Sequence, residues 1–170
     1  TPDECLVVLS PAGPLRAGWS GEGLAFLDFV DRDVRSAPTP NDDASNIPPT
    51  PSPDCLPGRP RPELTAFLAG SRADFTIPLA PRGTPFQHQV WDALRTIPPG
   101  QTRSYADVAR MIGRPSAVRA VARANATNPI AIIIPCHRVI GADGSLTGYA
   151  AGLDRKRWLL DHEARFWGSS

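Results

Sequence analysis

The stretch IAIIIPCHRVI, residues 130–140, places a run of β-branched apolar side chains directly before a cysteine and a histidine. Four of its first five residues are isoleucine. Because β-branched side chains suit a pleated, covered surface and the run is short, this pattern predicts a buried β-strand. Pro135 has no backbone N–H, so the strand should end there. We therefore expect Cys136 to be held rigidly at a strand end, beside a cavity.

Cys136 is a candidate nucleophile. A thiol reacts as the thiolate, and a cationic or hydrogen-bonding neighbour must lower its pKa from about 8.5; His137 and Arg138 are candidates for that neighbour. The alternative is a buried core cysteine, which is common, but a polar His-Arg pair after an apolar run favours a functional surface. The other cysteines, Cys5 and Cys55, are distant and no zinc-ligand spacing occurs, so we expect no metal and no cofactor.

Length and composition allow one domain or two small ones. The chain has 170 residues, 20 of them proline, and its three cysteines show no pairing pattern. Unpatterned cysteines are typical of a reducing compartment. No apolar run reaches 18 residues, and the first residues lack the order of a signal peptide. These features predict a cytoplasmic protein without a membrane segment.

The net charge of +1 conceals an asymmetry between the two halves. Residues 1–80 hold 6 arginines and 11 acidic residues, whereas residues 81–170 hold 12 basic and 6 acidic residues. The second half could therefore bind a polyanion. Ordinary scatter of surface charge is the alternative.

The first region, residues 1–80, is predicted to form a small α/β scaffold domain. Short apolar segments at 5–9, 15–19 and 24–30 are separated by turn residues, a pattern typical of an antiparallel meander. Residues 36–62 include nine prolines and should form a long extended loop. A short helix at 63–69 and a last strand at 75–79 complete this prediction.

The second region, residues 81–170, is predicted to be mostly helical. Thr84, with Pro85 and Gln87 after it, predicts a capped helix start. Ser104 should cap a second helix to residue 112, and Pro115 or Ser116 should open a third, ending near residue 125. Two short helices joined by a tight turn predict a helix-turn-helix at about 104–125. A final helix should run from 153 to about 166.

Arginines cluster on the two short helices. They are Arg103, Arg110, Arg114, Arg119 and Arg123. A basic second helix suits contact with phosphate groups and a DNA groove. A helical hairpin can also form for packing alone.

Together these motifs resemble the O6-alkylguanine-DNA alkyltransferases. The matching stretch covers about residues 83–163 and includes GTPFQ at 83–87, IPPGQTRSY at 97–105, NP at 128–129, PCHRV at 135–139 and LLDHE at 159–163. The resemblance implies an α/β first domain similar to ribonuclease H and a mostly helical second domain with the helix-turn-helix and Cys136.

The resemblance also implies a reaction: direct reversal of DNA damage, in which the Cys136 thiolate takes the alkyl group from O6-alkylguanine and keeps it in a single turnover, with O4-alkylthymine as a second candidate substrate. His137 would remove the thiol proton through a water, and Glu163 would orient His137. Tyr105 would protonate N3 of the departing guanine. Asn128 would brace the turn beside the active site.

Double-stranded DNA is the implied partner, bound through the minor groove by a protein that is monomeric when free. The alkylated base would be flipped out of the duplex. Arg119 would fill the vacated space. Further DNA contacts are implied for Ser104, Tyr105, Ser116, Arg123 and Asn125, and the base pocket would be formed by Val139, Tyr149, Ala150 and Ala151.

Three other classes of function share parts of this pattern. A regulatory alkylation sensor would carry fused activator modules that this sequence lacks, and a lesion-binding relative would lack Cys136. A cysteine hydrolase using Cys136, His137 and Asn128 is disfavoured because neighbouring residues on a strand point to opposite faces.

Overall fold

The structure is a computed structural model that describes residues 3–29 and 60–168. Most of the predicted proline-rich loop, residues 36–59, lies outside the described residues, as does Cys55. None of the described helices is long and apolar enough to cross a membrane.

The first region contains an antiparallel sheet of three strands. They are β1 (Asp3–Ser10), β2 (Gly13–Ser20) and β3 (Gly23–Phe29), in the order β1-β2-β3. Two-residue turns join them, and the apolar residues that alternate along β2 and β3 point into the core: Leu15 and Ala17 face inward, and so do Leu27 and Phe29. The predicted meander is confirmed.

The prediction of a strand at residues 75–79 is wrong. Leu79 makes only an isolated parallel bridge to Leu24. The amide of Leu24 donates to the carbonyl of Pro78 at 2.8 Å, and the amide of Ala80 donates to the carbonyl of Leu24 at 2.8 Å. Pro78 has no N–H to donate, so the pairing cannot extend into a ladder there.

Five α-helices, a 3-10 helix and two short strands are the regular elements in the rest of the described chain. The helices are α1 (Pro60–Leu68), α2 (Pro85–Arg95), α3 (Tyr105–Met111), α4 (Val118–Ala126) and α5 (Leu153–Trp167). The strands β4 (Arg103–Ser104) and β5 (Val139–Ile140) pair in parallel. The expected caps are present: Thr84 forms a capping box with Gln87, and Ser104 forms one with Asp107.

The third predicted helix begins later than its sequence indicates. Pro115 and Ser116 lie in a turn, the amide of Ala117 donates to the carbonyl of Arg114 at 2.9 Å, and α4 starts at Val118 without a side-chain cap. Gly113, at φ +73°, ends α3 in the left-handed conformation that favours glycine. The chain needs this turn before α4 can pack on α3.

The isoleucine stretch is not a strand. Residues 131–134 form a turn in which the amide of Ile134 donates to the carbonyl of Ile130 at 3.1 Å, and Ile132 has a left-handed φ of 69°. Its polar groups are satisfied locally: the side chain of Asn128 donates to the carbonyls of Ile130 and Ile134 at 3.2 and 2.8 Å and accepts from the amide of Ile130 at 3.0 Å. These bonds replace the strand ladder that the β-branched residues predict.

This turn is joined directly to the sheet. The amide of Leu27 in β3 donates to the carbonyl of Pro129 at 2.9 Å, and the amide of Ala131 donates to the carbonyl of Leu27 at 2.7 Å. Leu27 and Ile130 are both fully buried in a core shared by the sheet and the helices. The hydrogen bonds from β3 therefore position the residues that lead to Cys136. The boundary between two domains near residue 80 stays a prediction.

Candidate active site

Cys136 is the first residue of a 3-10 helix, Cys136–Arg138, that follows the isoleucine turn. It is 5% exposed and lines a cavity of about 170 Å³. Burial raises the pKa of the Cys136 thiol, and a hydrogen bond from Asn128 and the charge of Lys156 offset this only in part. The resting sulfur is therefore a protonated thiol and needs a base before it can attack.

His137 and Glu163 form a fully buried pair behind this cysteine. Nε2 of His137 lies 2.7 Å from Oε1 of Glu163, which α5 brings to the 3-10 helix. Arg138 donates to the same carboxylate from Nε at 2.9 Å and from a terminal nitrogen at 2.7 Å, and its other terminal nitrogen donates to the carbonyl of Ile97 at 2.6 Å. The carboxylate thus accepts hydrogen bonds from two adjacent residues.

The charges around Glu163 and His137 determine the protonation states of both side chains. Burial alone would raise the pKa of Glu163, but the hydrogen bonds and positive charge supplied by His137 and Arg138 lower it to about 2. Burial lowers the pKa of His137, and the charges of Arg138 and Lys156 add to that effect against the attraction of Glu163. At neutral pH the imidazole is neutral, with its Nε2–H donated to an ionised Glu163.

The other ring nitrogen of His137 is then a free base. Nδ1 is buried and has no hydrogen-bond partner among the described residues. A buried acceptor without a partner is costly unless it binds a water or a reacting group. This nitrogen is therefore available as a proton acceptor.

The two predicted asparagines face this turn rather than solvent. Asn128 braces the isoleucine turn, as expected for the residue that holds the active-site backbone. Asn125 is 2% exposed, and its amide donates to the carbonyl of Cys136 at 3.4 Å. Because Asn125 lies on the buried side of α4, its amide supports Cys136, and since it also lines the cavity its expected contact with DNA stays a prediction.

The cavity has walls from both predicted regions. Besides Cys136, it is lined by residues 27–29, 125, 126, 128, 131 and 149–151. Three of the expected pocket residues, Tyr149, Ala150 and Ala151, are therefore present. Val139 is fully buried in β5 and is not among these lining residues. Its side chain supports the site from the core.

Tyr105 stands at the first position of α3 and reaches the loop that carries the pocket wall. Its hydroxyl donates to the carbonyl of Thr147 at 3.1 Å. The same carbonyl accepts from Nζ of Lys156 at 2.7 Å. Ser104, expected to bind DNA, uses its hydroxyl to accept from the amide of Asp107 as the helix cap.

The structure separates the arginines of the α3–α4 unit into two groups. Arg110 pairs with Asp107, Arg114 stacks over the ring of Phe86, and Arg103 bonds to Gln101. Arg119 and Arg123 are exposed on α4 and have no side-chain partner among the described residues, and Ser116 is exposed just before them. Arg110 and Arg114 are exposed as well, but their side chains are already engaged, so Arg119 and Arg123 are the arginines of this unit left available for another partner among the described residues.

Sequence patterns miss several residues of the site. Residues 27–29 line the cavity from β3, although the pattern of the first region predicts a scaffold. Arg138, predicted only as a neighbour of the thiol, binds Glu163 instead. No pattern singles out Lys156. The contacts of β3 and α5 with the turn join residues far apart in the chain, so no local pattern could predict them.

The fold and this site combine a cysteine on a cavity wall, a buried His–carboxylate pair behind it and a neighbouring helix pair that carries exposed arginines. Residues 85–165 match the family described as 6-O-methylguanine DNA methyltransferase, DNA binding domain. The chain is 46% identical over 154 residues to a methylated-DNA–protein-cysteine methyltransferase of Methanosarcina acetivorans, covering 91% of this chain and 94% of that protein. The chain belongs to this family of enzymes.

Solved structures agree with this assignment. The Mycobacterium tuberculosis O6-methylguanine methyltransferase is 43% identical, with a TM-score of 0.78 over 99% of this chain and 97% of that one. Mycobacterium tuberculosis OGT in complex with DNA is 44% identical, with a TM-score of 0.77 over 95% of this chain and 93% of that one. The overall arrangement of sheet and helices is therefore shared with enzymes of the family.

Proposed function

We propose that the protein repairs DNA by transferring the alkyl group of O6-alkylguanine to the sulfur of Cys136. The observation that carries this proposal is the placement of Cys136 on the cavity wall, directly before the buried pair of His137 and Glu163. Family membership supplies the substrate class, since the related proteins are named for methylated DNA and a cysteine acceptor.

The chemistry follows from the protonation states at the site. Nδ1 of His137 takes the thiol proton through a water, and Glu163 stabilises the imidazolium that forms. The sulfur then bonds to the alkyl carbon while the bond from that carbon to O6 breaks. The electron pair passes into the guanine ring, and the hydroxyl of Tyr105 protonates N3 of the leaving base. The thioether remains on the protein, so each molecule acts once.

We propose that α3, the turn and α4 form a helix-turn-helix that binds the minor groove of duplex DNA. The exposure of Arg119 and Arg123 supports this surface, with Ser116 beside them. Reaching Cys136 requires the base to leave the stack, at a cost of a few kcal/mol. Arg119 would occupy the vacated space, while Arg123 would contact phosphate.

Finer features of the proposal rest on the family resemblance and the chemistry. They are a ribonuclease H-like arrangement of the first region, a monomeric free protein, and activity on O4-alkylthymine as well as on guanine. Because a reactive thiol must stay reduced, we also propose a reducing compartment such as the cytoplasm.

The decisive experiment is intact mass after incubation with a duplex containing O6-methylguanine. We expect a gain of one methyl group on the wild-type protein and none on Cys136→Ser. The amount of repaired DNA should stop at one equivalent of protein. Hydrolysis of a peptide ester without a mass gain would instead show a cysteine hydrolase, and continued turnover would exclude the single-use reaction.

A further inference from the structure

The cavity wall at residues 149–151 lies in a stretch without regular structure. Residues 141–152, all of them within the described chain, form turns and loop between β5 and α5. The amide of Gly152 donates to the carbonyl of Tyr149 at 2.9 Å, which is a local bond within this stretch. The position of the wall therefore depends on side chains that reach it from rigid elements.

Arg155 joins this wall to the first region. It stands in the first turn of α5 and is half-buried, and one of its terminal nitrogens donates to the carbonyl of Ala151 at 3.2 Å. Its Nε donates at 2.9 Å to the carbonyl of Ala12, which lies in the turn between β1 and β2. One guanidinium thus binds a carbonyl of the pocket wall and a carbonyl of the sheet.

The same guanidinium lies over the ring of Phe29. Its central carbon is 5.0 Å from the ring centroid, a distance at which the ring face attracts a cation. Phe29 ends β3, is 9% exposed and lines the cavity together with residues 149–151. Arg155 therefore contacts one cavity-lining residue from each region, Phe29 from the first and Ala151 from the second.

The turn between β1 and β2 leaves room for this side chain. Gly13 follows Ala12 and has a φ of +126°, a conformation that residues with a Cβ rarely adopt. A Cβ at residue 13 would lie 2.9 Å from a terminal nitrogen of Arg155. Glycine at this position therefore allows the turn and the guanidinium to approach each other closely.

The contacts explain why this residue is an arginine. A guanidinium presents five donors in a rigid plane, so it can bind two carbonyls in different directions while its face covers an aromatic ring. A lysine ammonium is a compact charge at the end of a flexible stem. It could reach one of the two carbonyls but could not join both while covering Phe29.

We propose that Arg155 is a positioning residue through which the first region holds the pocket wall at residues 149–151 in the shape that receives the alkylated base. This role rests on the proposed alkyl transfer. The pair of His137 and Glu163 is held by separate hydrogen bonds. Loss of the Arg155 contacts should therefore impair placement of the base and leave the nucleophile intact.

The first test uses O6-benzylguanine as a free base, so that DNA contacts play no part. Arg155→Met keeps an unbranched stem, Arg155→Lys keeps the charge, and Arg157→Met changes an exposed neighbour on the same helix. The second-order rate of benzyl transfer to Cys136 should fall about 10- to 100-fold in both Arg155 variants, because the base is then held less accurately. Arg157→Met should keep the wild-type rate. A wild-type rate in either Arg155 variant would overturn the proposal.

Iodoacetamide separates positioning from damage to the nucleophile. This small reagent alkylates a thiolate without needing a pocket shaped for a base, and the modified Cys136 peptide is followed by mass spectrometry. In Arg155→Met the rate should equal or exceed that of wild type, because a looser wall exposes the sulfur while His137 and Glu163 stay paired. A fall parallel to that with O6-benzylguanine would overturn the positioning role.

Gly13→Ala tests the same contacts without changing Arg155. The added Cβ pushes against the guanidinium, so this variant should also transfer the benzyl group more slowly than wild type. In an Arg155→Met background it should cause no further loss, because the side chain it displaces is already gone. Equal losses in the two backgrounds, or a wild-type rate in Gly13→Ala alone, would overturn the proposal.

Hydrogen exchange needs no substrate and makes the two proposals separable. Amides of residues 149–152 should exchange faster in Arg155→Met and in Gly13→Ala than in wild type, whereas those of residues 130–140 should not change. Unchanged exchange at 149–152 would refute this inference whether or not wild type takes an alkyl group. Absence of transfer to wild-type Cys136 would refute the proposed function, and equal transfer by wild type and Arg155→Met would refute only the role of Arg155.

Discussion

The carboxylate of Glu163 binds both neighbours of Cys136 on its C-terminal side, His137 and Arg138. Its carboxylate accepts from Nε2 of His137 and from two nitrogens of Arg138 with no exposure to solvent. His137 and Arg138 together hold the pKa of Glu163 low, so the carboxylate stays ionised. The ionised carboxylate in turn accepts from Nε2 of His137 and leaves Nδ1 free.

The first prediction concerns stability against pH. The folded pKa of Glu163 is about 2, below its ordinary 4.5, so its contribution is present above the unfolded pKa and is lost as pH falls towards 2. This contribution is about 3 kcal/mol. Urea unfolding at neutral pH and at about pH 3 should therefore show a smaller fall in unfolding free energy for Glu163→Gln than for wild type. Asp161→Asn, an exposed acid on α5, should follow wild type; equal slopes for all three proteins would contradict the assignment.

The second prediction concerns the proposed base. His137→Gln can still donate to Glu163 but has no basic ring nitrogen, so transfer from O6-methylguanine duplex should slow by about 100- to 10,000-fold. DNA affinity should be unchanged because His137 is fully buried. Single-turnover repair and a separate binding titration measure the two quantities. Transfer at the wild-type rate would show that another group removes the thiol proton.

At the level of elements, the isoleucine stretch shows what local sequence can and cannot predict. The helix caps at Thr84 and Ser104 are predictable because all their partners lie within three residues. The turn is not, because the conformation of residues 131–134 depends on Asn128 and on the distant Leu27. β-Propensity reports how side chains fit a covered surface, and this turn is covered without being a strand.

The third prediction tests the strain in that turn. Ile132 and Ile134 are each 1% exposed, but only Ile132 has a left-handed φ. Substituting glycine removes a buried isoleucine side chain at either position. At residue 132 alone it also relieves the cost of holding a β-branched residue in the left-handed conformation, which is about 1–2 kcal/mol. Ile132→Gly should therefore destabilise the protein by about 1–2 kcal/mol less than Ile134→Gly. Chemical denaturation of both variants measures this difference, and equal losses would argue against the strained turn.

The fourth prediction concerns α4 and separates two roles for Arg119. If Arg119 holds the place of the flipped base, Arg119→Ala should lose most activity on a duplex and much less on single-stranded DNA or free O6-benzylguanine. If it contacts phosphate, every DNA should bind more weakly and the salt slope should fall by about one. Repair rates on the three substrates at two salt concentrations distinguish these outcomes. Arg157→Ala on α5 is the matched control, and equal losses on single and double strands would remove the place-holding role.

At the scale of the whole molecule, the two predicted regions share one active site. Residues 27–29 line the cavity, and Leu27 exchanges hydrogen bonds with the backbone on both sides of Ile130. The motifs that carry the family resemblance all lie after residue 82, so the sequence places every predicted site residue in the second region and none in the first. The core is continuous across that boundary because the covering strand is supplied by the first region.

The last prediction follows from this shared core. A fragment of residues 81–170 keeps Cys136, His137 and Glu163 but lacks the strand that closes the cavity and satisfies the backbone around Ile130. It should be less stable than the whole chain and should accept a methyl group from O6-methylguanine DNA far more slowly. Adding residues 1–80 in trans should restore part of the rate, because β3 binds the turn through hydrogen bonds and apolar packing, which can form again between separate chains. The measurements are thermal unfolding and the rate of mass gain on Cys136. Full transfer by the fragment alone would show that β3 is only scaffold, as its sequence first indicates.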